Sequence, residues 1–454
     1  MDIDAICDRR ARSTPTDLCL APEQATLLER FREVRRASSE LASGLTAEDQ
    51  CVQSMADASP TKWHLAHTSW FFEAMVLQLN DPAYRCFDVR YARLFNSYYQ
   101  ALGPRHTRSL RGMLTRPTCD EIHCYRRHVD EAMESMLQAG QADSETAALI
   151  ELGLNHEQQH QELILTDIKH AFYLNPLRPA YRSVDPMQGV RRLEGCAIDK
   201  SGSGPDVAGH PVQWIPQPGG PQEVGHAGSG FGFDNEKPRH LVLLRPFRLA
   251  SRPVSCGEYL QFILDGGYQR PELWLSDGWD AVQAHGWRAP LYWETDDSDG
   301  FNIFTLHGMQ PLCPNEPVCH VSFYEACAYA AWADARLPTE FEWEAAASRW
   351  PAPDQRARAT RFHPEPLPQT SAPQTEPICG PVWQWTRSSY DPYPGYRPYS
   401  GLASEYNGKF MVGQLVLRGG SCATPPGHIR TSYRNFFAPA ARWQFSGLRL
   451  ATDA

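Results

Sequence analysis

The chain has 454 residues, more than one typical core accommodates, and a norm of about 150 residues per domain predicts two or three domains. A hydrophobic fraction of 42% and a charged fraction of 21% are those of a folded protein, and no apolar run approaches the length of a membrane span. The net charge of -10 argues against a nucleic-acid-binding surface.

The 13 cysteines are scattered, without a C-x-x-C pair, and an odd count without framework spacing predicts reduced thiols. The first residues, MDIDAICDRRARSTPTDLC, are charged and lack an apolar signal core, so a cytoplasmic location is expected.

Residues 22 to 43 place apolar side chains at three- and four-residue intervals and stop at Gly44, which predicts an amphipathic helix. A second helix is predicted after Ser59-Pro60, through KWHLAHTSWFFEAMVLQL, and a third over Cys119 to Gln138. The fourth is the Pro-free run Thr146 to Phe172, with Ile150, Leu154, Ile164 and Ile168 at helical spacing. Four such helices with one long connection between the second and third describe a four-helix bundle over 20–173. Pro176, Pro179 and Pro186 interrupt any helix in the stretch that follows, so residues 174–205 read as a linker that wraps rather than packs. Beyond it Trp, Tyr, Gly and Pro concentrate. HLVLLRPFRLASRPVSCGEYLQFI predicts strands leading into a helix, and Phe323 to Asp334 predicts another helix. Residues 206–454 therefore form a second, loop-rich domain, and the fold class is α+β.

The fourth helix carries HEQQHQE (156–162). His156 and His160, four residues apart, lie one turn above each other and can offer two imidazoles to one metal ion. As H-E-x-x-H this is the zinc-protease pattern, with Glu157 as general base. As H-x3-H it is half of a metal site in a bundle, completed from a facing helix. The protease pattern lacks context: Thr166 stands where the third histidine of H-E-x-x-H-x-x-G-x-x-H belongs, and Glu194, a possible substitute, lies in the linker. The second helix offers His64 and His67. The stripe Trp63, Ala66, Trp70, Phe71, Ala74 puts His67 close to the buried face and His64 at its edge, so His67 is the preferred third imidazole. The long connection holds Tyr98-Tyr99, Arg105 and Arg108, which read either as a packed aromatic loop or as a lid over the bundle that suits an acidic small molecule and proton donation.

LAHTSWFFE, HEQQHQE and the aromatic second half together resemble the ergothioneine-pathway sulfoxide synthases, non-haem iron enzymes with an N-terminal DinB-type bundle. GFGFDNEKPRH (230–240), RLPTEFEWEAAA (336–347), VWQWT (382–386), LRGGSCAT (417–424) and RNFF with FSGLRLA (434–451) resemble formylglycine-generating-enzyme modules, a C-type-lectin-like fold. The resemblance implies Fe(II) ligands at His67, His156 and His160, with O2 as co-substrate. It implies that Gln159 faces a histidine-derived substrate, Nα-trimethylhistidine, that Arg105 or Arg108 pairs with a substrate carboxylate, and that Asn435, Phe436 and Phe437 meet the substrate ends. Tyr98 or Tyr99 would be the proton donor. Many members carry an Asp after Asn-Trp where this chain has Asn435-Phe436-Phe437, so the resemblance points to the subgroup using free cysteine rather than γ-glutamylcysteine. Two other readings are less well supported. Cys422 has no second cysteine among 423–454 for formylglycine generation, and is expected to be packed away. Ovothiol-pathway relatives usually add a methyltransferase, for which a chain ending at Ala454 leaves no room.

Overall fold

The computed structural model describes residues 26–183, 212–295 except 227 and 229, 300–350, 362–366 and 378–454. Most of the stretch expected to be a linker, including Pro186 and Glu194, lies outside the described residues, as do the first 25.

The bundle comprises α1 (Leu27–Ala42), α2 (Thr61–Phe72), α3 (Cys119–Gln138) and α4 (Ser144–Leu174). Local chemistry sets the starts. Thr26 with Glu29 and Thr118 with Glu121 form reciprocal capping boxes that satisfy two otherwise orphaned N–H groups at each helix start, and Asp143 caps α4 by accepting from Thr146 N. A π-helical turn, Glu73–Leu77, extends α2, and residues 81–118 cross to α3 as short turns. Where α2 and α4 meet, the position of Gly153 admits nothing larger: a Cβ there would lie 2.6 Å from Phe72 Cε1 and 2.8 Å from Phe71 Cε1. The glycine lets the two histidine-bearing helices approach closely.

The second domain is built from short strands. β1 (Trp214–Gln217), β4 (Phe247–Ala250) and β12 (Ala451–Asp453) form one antiparallel sheet, with β4 central. β2 (Gly220–Val224) pairs with β3 (His240–Leu244), and β5 (Trp293–Thr295), β6 (Phe301–Thr305) and β7 (Gly308–Pro311) form a meander. The fourth sheet runs β10 (Asn435–Phe437), β9 (Leu415–Arg418), β8 (Trp383–Ser389), β11 (Ser446–Gly447), and only the last pairing is parallel. Helices α5 (Cys256–Leu264), α6 (Ser276–His285), α7 (Phe323–Trp332) and α8 (Glu340–Ala347) cover them. The architecture is α+β, a helical domain followed by one of small sheets.

Two expectations need correction. Nine described cysteines are free thiols, Cys422 buried among them, but Cys313 is disulfide-bonded, so the thiols are not uniformly reduced. The start of the expected linker packs: Tyr181 is buried, and its hydroxyl donates to Leu41 O at 2.6 Å while its N–H donates to Leu306 O at 2.9 Å, tying bundle to second domain. Its aromatic ring supplies the apolar area that a proline count overlooks. No described helix is long and apolar enough to cross a membrane.

Candidate metal centre

Helix α4 is buried on several sides, and its motif distributes successive side chains to different partners. His156 and His160 face α2. Glu157 and Gln161 face α1: Glu157 takes hydrogen bonds from Arg35 (2.9 Å), Arg126 (2.5 Å) and Ser38 (2.6 Å), and Gln161 Nε2 donates to Val34 O at 2.9 Å. Gln158, Gln159 and Glu162 face the second domain. Glu162 accepts from Trp383 Nε1 (2.9 Å), Ser421 Oγ (2.5 Å) and Thr424 Oγ1 (2.8 Å), locking the domains together.

This arrangement overturns the zinc-protease reading. Glu157 is fully buried, and its carboxyl is held down to about 2 against the cost of burial by the Arg126 and Arg35 guanidiniums and the Ser38 hydroxyl. A carboxylate committed to two guanidiniums on the α1 side of the helix cannot serve as a base beside the histidines.

His67, His156 and His160 converge. Their available nitrogen atoms all lie within 4.8 Å of one another, and their ring centroids are 4.6–4.9 Å apart. His67 Nδ1 donates to Phe95 O at 2.6 Å, which leaves Nε2 as a bare acceptor. That Nε2 and both nitrogens of His156 are buried without any hydrogen-bond partner, an arrangement costly for polar atoms unless a ligand completes it. Burial pushes His156 down to about 3, and pushes His67 and His160 well below the usual imidazole value, so all three are neutral near pH 7. Three neutral imidazoles at this spacing fit a divalent transition metal and leave coordination positions open. Trp63 and Trp70 stack on the His67 ring at 4.6 and 5.5 Å, and Phe71 lies 4.9 Å from His156, so the walls are aromatic.

His64, the alternative third imidazole, is occupied differently. Its Nδ1 meets His160 Nδ1 at 2.8 Å and its Nε2 meets Asp167 Oδ2 at 3.0 Å, so neither nitrogen has a lone pair free for an ion.

The loop after Phe95 packs Tyr99 against Trp70, one of the walls of this cluster. Asn96 folds it, donating to Tyr99 O at 2.8 Å and accepting from Tyr99 N at 3.0 Å, while Glu405 of the second domain accepts from Gln100 N and Ala101 N at 3.2 and 3.0 Å. Tyr99 is fully buried, 5.7 Å from Trp70, and Tyr98 stacks on it at 4.5 Å. Burial holds both phenols above their usual range, so both keep their protons at neutral pH.

The second domain completes the walls. Gln159 accepts from Tyr406 OH at 2.5 Å and donates to Tyr433 OH at 2.8 Å, and the Tyr406 ring lies 5.8 Å from His156. Phe436 stacks on Tyr390 at 3.9 Å and on Phe410 at 6.0 Å, and Phe410 meets Tyr98 at 5.0 Å, so an aromatic chain joins β10 to the loop that carries Tyr98. Asn435 Oδ1 accepts from Phe436 N, and Phe437 lies 6.0 Å from Trp443. Arg105 and Arg108 are exposed, and their guanidiniums donate to the carbonyls of Ser97 and Asp57.

The sequence reading missed Arg111 and Tyr406. Arg111 is buried, its guanidinium carbon 3.4 Å from the centre of the Trp63 ring, and no carboxylate among the described residues forms an ion pair with it. Burial first, then the neighbouring Arg108, pushes it down to about 9. The sequence carried little signal for Arg111, because its partners Trp63, Ser59 and Ser97 come from other segments and it is buried where Arg108, three residues earlier, is exposed.

Comparisons with known proteins agree with this architecture. Residues 30–164 match the DinB superfamily, and residues 207–454 match the Sulfatase-modifying factor enzyme 1-like domain. The chain is 32% identical over 424 residues to the hercynine oxygenase of Mycobacterium tuberculosis, covering 89% of this chain and 93% of that one. The chain belongs to the hercynine oxygenase family. It is 32% identical to the Mycolicibacterium thermoresistibile hercynine oxygenase over 422 residues (87% of each chain), and 36% identical to that of Mycolicibacterium smegmatis over 329 residues (66% of this chain, 71% of the relative). As a hercynine oxygenase family member it is an oxidoreductase that uses O2.

Proposed function

We propose that this hercynine oxygenase family member is an Fe(II)-dependent sulfoxide synthase of ergothioneine biosynthesis, joining the sulfur of free cysteine to the imidazole of Nα-trimethylhistidine. The observation that carries the reading is the convergence of three neutral imidazoles, with partnerless buried nitrogens, in a chain of this family. His67, His156 and His160 would hold the iron, which when bound would supply the one-electron exchange with O2 that a spin-paired thiol and imidazole lack.

The reaction balances without further oxidant. A thiol S–H and an imidazole C–H are lost and a carbon–sulfur bond forms. One oxygen atom ends in the sulfoxide and the other in water. The protein's part is positioning and proton supply. Tyr98 or Tyr99 gives a proton to oxygen, since burial keeps both phenols protonated. Gln159 fixes the Tyr406 ring beside His156 as a wall for the substrate imidazole. Arg111, together with Arg105 and Arg108, supplies cationic charge for a substrate carboxylate, and Arg111 has the guanidinium without a carboxylate partner.

Cysteine is the preferred donor in this reading because the Asn435-Phe436-Phe437 strand offers aromatic stacking where an acidic anchor for a longer arm would be needed. Partners are then small molecules, with no nucleic acid or membrane, and the location cytoplasmic.

The test is anaerobic reconstitution with Fe(II), then O2 uptake and product mass with trimethylhistidine plus cysteine or γ-glutamylcysteine. The expected product is the cysteine sulfoxide adduct, absent in His67→Ala, His156→Ala and His160→Ala proteins that remain folded. Zinc-dependent activity without O2 uptake would overturn the reading.

A further inference from the structure

We propose that Asp167, acting through His64, dictates which nitrogen of His160 is free to bind a metal, making His64 and Asp167 positioning residues for the three-histidine site. The inference rests on the metal-site reading above. The two Nδ1 atoms of His64 and His160 lie 2.8 Å apart, so one must carry a hydrogen and the other a lone pair. The polarity is decided at the far end of the chain of hydrogen bonds. Asp167 Oδ2 accepts from the backbone N–H of Ser59 at 2.8 Å and lies 3.0 Å from His64 Nε2. A carboxylate oxygen that already takes an N–H at a helix start acts as an acceptor, so His64 Nε2 carries the hydrogen.

With one N–H on the His64 ring, held on Nε2 by Asp167, its Nδ1 is the acceptor and takes the hydrogen of His160 Nδ1. His160 Nε2 is then left with its lone pair, the same nitrogen that the Phe95 carbonyl leaves bare in His67. The two histidines reach the same tautomer by different routes, one through a backbone carbonyl and the other through a buried imidazole and carboxylate. Were the polarity reversed, His160 would present an N–H to the ion and one of three donors would be lost. An outer carboxylate that orients a ligating histidine also raises its basicity, and losing such a partner costs about 10- to 100-fold in metal affinity.

The first readout needs no variant and no metal. Long-range nitrogen–proton correlation on metal-free protein with labelled histidines is expected to show His160 and His67 as Nδ1–H tautomers and His64 as Nε2–H. An Nε2–H tautomer at His160 would overturn the inference even in a protein that binds no metal. The second readout is Fe(II) affinity by anaerobic chelator competition, with Co(II) absorption as the spectroscopic probe. His64→Leu and Asp167→Leu are expected to weaken binding by about 10- to 100-fold. His64→Gln should recover most of the loss, since its carbonyl can accept from His160 while its amide donates to Asp167. Wild-type affinity in His64→Leu would overturn the positioning role, and loss as complete as in His67→Ala would make His64 a ligand instead. Absence of Fe(II) and Co(II) binding by the wild-type protein would remove the metal-site reading itself, leaving the tautomer measurement to judge the relay.

Discussion

His156 and Glu157 are neighbours in sequence and face different sides of α4, His156 towards His67 at a ring separation of 4.9 Å and Glu157 into the Arg35 and Arg126 guanidiniums. The motif that resembles a hydrolytic site thus joins two separate roles, a donor turned to the three-histidine cluster and the ionic centre of the bundle. The Glu157 carboxylate holds α1, α3 and α4 together.

Replacing Glu157 by Gln should therefore cost stability before it costs metal. Removing one member of a buried ion pair leaves uncompensated charge, typically about 3–5 kcal/mol. Because the folded-state carboxyl is held down to about 2, its stabilising effect is complete above the ordinary value of 4.5 and is lost as pH falls between those values. Urea titrations at pH 7, 4 and 3 should show the wild-type advantage over Glu157→Gln shrinking as pH falls, with Fe(II) stoichiometry unchanged in the folded variant. A constant difference across that range would assign the effect to packing.

Gly153 offers a test of helix approach. A methyl group at 2.6–2.9 Å from the Phe71 and Phe72 rings has to push α4 away from α2. Gly153→Ala is expected to lose about 1–3 kcal/mol, the usual range for overpacking, despite the better helix propensity of alanine. His156 lies one turn on, so Fe(II) affinity should fall as well. A protein stabilised by the substitution, with unchanged affinity, would show that the helices have slack at the site.

The bundle was legible because its signals are local. The α3 limits, Cys119 and Gln138, coincide with the sequence reading, since a capping threonine and a periodic apolar face mark them. The long Pro-free run of α4 and the four-residue histidine spacing were equally plain. Partners of the intervening residues were not legible, because they come from remote segments: Tyr406 reaches Gln159 across 247 positions, from a loop with no period of its own. The partners of Glu157 were hidden for the same reason, as nothing in its neighbourhood announces Arg35 or Arg126. In the second domain strands of two to seven residues are too short for alternation to register, so family motifs rather than periodicity revealed its fold.

Gln159 and Tyr406 should affect binding of the imidazole substrate rather than iron. Tyr406→Phe removes the hydroxyl that donates to Gln159 Oε1 and keeps the ring near His156, and Gln159→Leu removes both tyrosine contacts. With iron content at the wild-type level, KM for trimethylhistidine should rise about 5- to 30-fold, the factor for one or two hydrogen bonds of about 1–2 kcal/mol, while KM for cysteine changes little. An effect confined to cysteine would place the thiol at this wall.

In the proposed reaction the phenols of Tyr98 and Tyr99 would decide the fate of the sulfur. Tyr98 and Tyr99 stack at 4.5 Å with their hydroxyls 3.5 Å apart, yet their surroundings differ. Tyr99 is sealed against Trp70, whereas Tyr98 lies between Phe410 and Lys409 of the second domain. Both stay protonated across the neutral range because burial raises them, so the proton is available without a pH optimum set by either phenol. Removing the hydroxyl that delivers it should slow sulfoxide formation by about 10²–10⁴, the range for general acid catalysis. It should leave cysteine and O2 together at the site, where the thiol is oxidised to its sulfinate instead. Sulfoxide and sulfinate measured side by side for Tyr98→Phe and Tyr99→Phe identify the donor as the variant whose ratio shifts, and equal wild-type ratios in both would remove the pair from proton transfer. Running the same variants with cysteine and γ-glutamylcysteine in competition tests the thiol. A wild-type preference for the longer donor would mean that the Phe436 and Phe410 stack yields to an acidic anchor elsewhere, and the basis for choosing cysteine would be lost.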